Sequence, residues 1–274
     1  MNASNPMLRS SVFDKPVDAP RWDELGTAAK PGAMTVQGTA IKAGFLLAIC
    51  VVSAMFSWMK FEPMYQAGNI GGIVPWLMGA SIGGLVLALI VSFKPQTAMF
   101  LGPVYAAAQG VVIASFSLFI VAQMAGNKQG TAQAILNTGV IFQAASLTFG
   151  IAAAALLAYA TGVIRLSPTV MKVISVAVGG VALYAVGLML LNGLFKMNLP
   201  NLWASASPIG IGFSLFVVVL ASFTLVMNYQ MIDEGAKTGQ PKYMEWYGAF
   251  AVTVTLVWLY IEILQLLSKL NRRD

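Results

Sequence analysis

"EWYGAFAVTVTLVWLYIEILQLLS", residues 245–268, holds only two charged side chains, Glu245 and Glu262, in an otherwise apolar or weakly polar run. A hydrocarbon core of roughly 30 Å is crossed by a helix of about 20 residues, so the stretch is long enough to span it. Lipid offers no hydrogen-bond partners, and a backbone inside it must satisfy its own donors and acceptors. A helix does so within one segment. Six similar runs precede it, at about 38–59, 70–93, 97–124, 132–164, 169–195 and 208–232. None shows the ten-residue alternation of a membrane β-barrel. The sequence therefore predicts an all-α integral membrane protein with seven transmembrane helices.

Composition agrees. Hydrophobic residues make up 58% of the 274, charged residues only 9%, and mean hydropathy is +0.77. A soluble domain would place far more charge on its surface. Residues 1–35 differ: they are polar, Pro-containing and of mixed charge, and are expected to form a mobile cytoplasmic tail, leaving 36–270 as the membrane domain. This tail lacks the apolar run of a secretion signal, so the first span is expected to direct insertion. Small residues (Gly79-xxx-Gly83 and Ala80-xxx-Gly84 in span two, "GIAAAALLAYATG" (150–162) in span four and Gly179-Gly180 in span five) suggest close helix approach there. Cys50 is the sole cysteine, so no disulfide forms within the chain. Pro75, Pro103 and Pro208 could interrupt spans.

Loop charge suggests orientation. With the N-terminus cytoplasmic, that side collects ten Lys and Arg and the other side six, as the positive-inside tendency favours. The basic end "SKLNRRD" fits less well, because seven crossings carry it outside. A re-entrant segment that returns it to the cytoplasm stays open as an alternative.

Absent chemistry narrows function. There is no histidine, which removes Ser-His and HExxH sites. The five aspartates are Asp14, Asp18, Asp23, Asp233 and Asp274, and only Asp233 touches a span, too few for an intramembrane aspartyl protease. No Gly-rich phosphate loop with a lysine and no intrahelical acidic metal cluster appears, so neither enzymatic activity nor a cofactor is expected, and no nucleic-acid partner is implied. What remains are polar groups at membrane depth, which are costly and commonly face the protein interior. They are Gln109, Gln143, Asn192, Asn228, Gln230, Asp233, Glu262 and Gln265. Glu262 lies near the end of span seven and could either line an internal cavity or snorkel to the interface.

"GPVYAAAQGVVIASFS" (102–117), "QAASLTFGIAAAALLAYATGVIRLS" (143–167) and "YGAFAVTVTLVWLYIEILQLLSKL" (247–270) resemble successive spans of the Bax inhibitor-1 family, also called YccA-like. The "EWY" before the last span and the polar tail resemble its bacterial branch, which implies an inner-membrane location. The resemblance further implies a seventh helix surrounded by the other six, and a pH-sensitive cation leak that passes calcium. In the family, a Tyr-Asp-Thr-Gln stretch in span six and a Leu-Tyr-Leu-Asp stretch in span seven supply two facing aspartates. Matching Gln230 to that Gln places Asn228 on the first aspartate. "LYIE" (259–262) places Glu262 on the second, whereas a rival register places Thr255 there.

A symmetric hairpin about Gly239 brings Asn228 level with Phe250 and leaves Glu262 some 18 Å away along the axis. It also brings Asp233 level with Glu245, each six residues from the turn. Held close, two carboxylates favour a shared proton and titrate as a unit, a possible mouth sensor for pH. The competing reading is a solvated acidic loop balanced by Lys237 and Lys242. Candidate pH-sensing or ion-path residues are thus Asp233, Glu245, Glu262, Asn228 and Gln109, with no metal site assigned. Three functions stay open: a calcium leak, a non-conducting regulator of other membrane proteins, and a small-solute transporter, for which no internal repeat is visible.

Overall fold

The computed structural model describes residues 32–124, 139–193, 195–197, 199 and 201–271. The expected mobility of residues 1–31 lies outside the described residues. Seven helices run α1 (Val36–Gln66), α2 (Val74–Phe93), α3 (Ala98–Met124), α4 (Gly139–Ala160), α5 (Pro168–Gly193), α6 (Pro208–Lys237) and α7 (Met244–Asn271). Each is long and apolar enough to cross a membrane. The expectation of seven spans is met, and no β-strand occurs among the described residues.

Local chemistry sets the helix ends. Thr35 caps α1, its hydroxyl accepting from the Gly38 amide at 2.9 Å. Ser207 does the same for α6 through Gly210, with Pro208 at the first helical position. Beyond the other end of α6, Gly239 takes φ of +68°, a left-handed conformation that glycine adopts without a Cβ penalty. Pro75 likewise sits at the start of α2, so of the three prolines expected to interrupt spans only Pro103 lies inside a helix.

The last helix is the core. In its most apolar window 61% of residues are buried, against 11% for α2 and 12% for α5. It packs chiefly on α1, α3, α4 and α6, while α2 leans on α3 and α5 on α6 as an outer layer. One apolar cluster joins α4, α6 and α7 through Ala144, Ala221, Leu225, Leu259 and Leu264. A second joins α1, α3 and α7 through Leu46, Ala106, Ala249 and Phe250.

Helices approach most closely elsewhere than the small-residue motifs suggested. Around Gly79, Gly83, Gly179 and Gly180 there is open space, because α2 and α5 turn these faces outward; of the three span-two glycines only Gly84 meets neighbours, chiefly Gln109. The tight contact is Gly110 in α3, where a Cβ would collide with the Cys50 carbonyl and press on Ser53 and Ala54 of α1. We expect Gly110→Val to lower stability by about 2 kcal/mol, as overpacking against backbone does. Thermal unfolding in detergent checks this, and Gly79→Val should leave the midpoint unchanged.

The 28 residues of α7 extend about 42 Å and carry the chain from one end of the bundle to the other. Lys269 meets Gly210 and Ser214 at the start of α6, whereas Glu245 meets Thr35 at the start of α1. No re-entrant segment is needed: the start of α1 and the end of α7 lie at opposite ends of the bundle.

Candidate functional site

The α6–α7 hairpin supplies the buried polar groups at three levels. Asn228 donates to the Thr255 hydroxyl at 2.9 Å and to the Ala251 carbonyl at 3.3 Å. Seven residues earlier on α6 and seven later on α7, the same register places Ala221 opposite Glu262. Another seven bring Ser214 to Lys269, and there the ammonium donates to the serine hydroxyl at 2.7 Å. A helix drifts only about 20° per seven residues, so Thr255, Glu262 and Lys269 form one nearly straight seam. It runs about 21 Å from mid-bundle to the far end.

Glu262 is 2% exposed, so it does not snorkel. Its Oε1 accepts from the indole N–H of Trp203 at 2.9 Å and of Trp258 at 3.3 Å. Oε2 is buried without a hydrogen-bond partner among the described residues, as is Oε1 of Gln265, one turn later on α7. Trp203 is held by stacking on Tyr184 and by the edge of Phe213, each ring centre 5.2 Å away. Lys269, 3% exposed, also donates to the carbonyls of Leu202 at 2.8 Å and Gly210 at 2.9 Å. Residues 201–207 thus cover the far end of the seam.

At the other end Glu245, 1% exposed, closes over the start of α1. Its Oε1 accepts from the Thr35 amide and hydroxyl, both at 2.9 Å, and its Oε2 pairs with Lys42. A carboxylate at a helix N-terminus also meets the positive end of the helix dipole. Gly38 makes room, because a Cβ there would fall on the carboxylate. Around this clasp the chain before α1 binds the α6–α7 loop, Met34 to the Gln240 carbonyl at 2.7 Å and Lys242 to that of Gly32 at 2.9 Å.

The expected carboxylate pair does not form. Asp233 instead accepts from Tyr159 of α4 at 2.5 Å and from Lys237, one turn away, at 2.8 Å. Glu245 turns to α1, Asp233 to α4. The symmetric hairpin about Gly239 placed them level, but the loop continues through Tyr243, so the helices meet five residues later on α7 than that construction gave. Asn228 therefore reaches Thr255, the residue named by the rival register, rather than Phe250. As expected, Asn228 and Glu262 hydrogen-bond to different partners. Gln109 sits half-buried in the notch at Gly84 between α2 and α3 and is no part of the seam. Sequence reasoning missed Lys42, Trp203 and Lys269; the seven-residue spacing of Thr255, Glu262 and Lys269 was the signal available for the last.

The family model described as Bax inhibitor 1 like matches residues 5–272. The chain belongs to the Bax inhibitor-1-like family. No curated protein and no solved structure matches it. Asn228, on which the resemblance places the first aspartate, faces Thr255, an amide against a hydroxyl. Glu262 lies about 10 Å farther along the axis.

Proposed function

We propose that the protein is a non-enzymatic cation leak of the Bax inhibitor-1 type, passing calcium across a bacterial plasma membrane, with its N-terminus cytoplasmic. The buried seam from Asn228 and Thr255 through Glu262 to Lys269 carries this reading. A line of polar groups inside a membrane bundle is expensive, and such lines commonly mark ion or proton paths. Glu262 is its one acid and favours a cation at its own level, while Lys269 sits at the far end. In this reading the structure is the closed state, with Trp203 and its flanking residues over the far mouth and the Glu245 clasp over the near one. Sensitivity to pH then rests on Glu262 and on the Glu245–Lys42 pair, since Asn228 and Thr255 do not titrate.

Purified protein in liposomes loaded with a calcium dye tests the proposal. We expect influx above that of empty liposomes, reduced at least fivefold in Glu262→Gln at equal protein content. Equal flux in mutant and parent removes Glu262 from the path. No flux above empty liposomes overturns the leak and favours a second reading, a non-conducting regulator that binds other membrane proteins. That reading is favoured by the uncharged Asn228–Thr255 pair at the level of the family's acids.

Orientation has its own test. Gln240→Cys, in the exposed α6–α7 loop, should be labelled by an impermeant thiol reagent only after the cells are opened. Labelling of intact cells would reverse the topology. Gln240 serves better than Gly239, whose positive φ disfavours cysteine.

A further inference from the structure

Glu262 Oε2 and Gln265 Oε1 are both buried, both lack a hydrogen-bond partner among the described residues, and belong to side chains one turn apart on α7. Residues three apart on a helix share a face. Neither atom donates, since a carboxylate and an amide carbonyl only accept, so neither can satisfy the other. Buried orphans of this kind call for a partner beyond the described side chains, such as water, a proton or a cation.

Lys269 is the charged group nearest in sequence on α7; its ammonium donates to Leu202, Gly210 and Ser214, and its charge reaches Glu262 through space without a direct contact. The described parts of α3 and α4 contain no Asp, Glu, Lys or Arg, and the part of α6 before Asp233 contains none either; on α1, Lys42 pairs with Glu245, Lys60 lies over the Trp76 ring and Glu62 accepts from Trp58. From the segment before α6, the contacts are the uncharged Trp203 and the tyrosine behind it, Tyr184. Among the described residues, an anionic carboxylate here has two neutral indole donors and no ion pair of its own.

We propose that Glu262 and Gln265 form a small-cation site, in which one cation, a proton or a partly hydrated metal ion, bridges Oε2 and Oε1. Ca²⁺ takes six to eight oxygens, so these two would hold it only with water completing the shell. A proton needs no more than the two. The proposal deepens the leak reading, giving that path an occupied station near its far mouth, but binding is measurable without flux.

Both indoles that contact Glu262 are reporters. Tryptophan fluorescence of the detergent-purified full chain should change saturably when titrated with CaCl₂ at fixed pH and ionic strength, or with protons in the absence of metal. The change should be lost in Glu262→Gln, weakened at least tenfold in midpoint concentration in Gln265→Leu, and diminished in amplitude in Trp203→Phe. Circular dichroism and the unfolding midpoint verify that each variant folds. A metal-dependent change identifies a metal cation as the occupant. A change with protons alone identifies the proton. No response to either, or a response unaltered in Glu262→Gln, overturns the site. A saturable response without liposome flux leaves the site standing and removes the leak.

Discussion

Glu245→Ala should lower stability by about 3 kcal/mol, near the lower end of what removing one partner of a buried ion pair costs. The lower end applies because the Lys42 side chain keeps 19% exposure and regains water. The substitution removes the acceptor for the Thr35 amide and hydroxyl as well as the counter-charge of Lys42. It also uncouples the first helix from the last. Thermal unfolding in detergent measures the loss. Lys42→Met combined with Glu245→Leu should cost less than the two single changes added together, since the double variant leaves no unpaired charge. A single variant within 0.5 kcal/mol of the parent would show that the clasp contributes nothing measurable.

Lys269→Met should be comparably damaging at the opposite end. It strands two carbonyls and a hydroxyl that are satisfied by one ammonium, and an unmet buried polar group costs about 1–3 kcal/mol. A loss of about 3 kcal/mol is expected after partial rehydration of residues 201–207. Because the same residues carry Trp203, the variant should also admit a water-soluble quencher to that indole and raise calcium influx into liposomes. Unchanged quenching would mean that Trp203 and Tyr184 hold the segment without the lysine.

The spans were legible because apolar length alone sets them: the predicted start of the second-last helix at 208 and the end of the third at 124 coincide with the observed ones. Asn228 and Glu262 were visible as rare polar groups in apolar runs. Their partners were not. Hairpin register depends on how many residues the loop spends beyond its glycine, and here the five-residue difference separates Phe250 from Thr255. The acids of 228–247 were misjudged for a related reason: equal distance from Gly239 suggested that Asp233 and Glu245 face each other, whereas the helical faces send one to Tyr159 and the other to Thr35. Lys42 and Trp203 lie 203 and 59 residues from the acids they meet, and no local pattern marks such contacts.

The central position of α7 also bears on how the chain is made. A ribosome delivers α1 first and α7 last, so the helix on which α1, α3, α4 and α6 converge is the final one to reach the membrane. Until then the first helix waits with Lys42 unpaired and Thr35 short of its acceptor, and the earlier helices stand around a place not yet filled. A chain truncated before residue 244 would be missing its middle rather than its end.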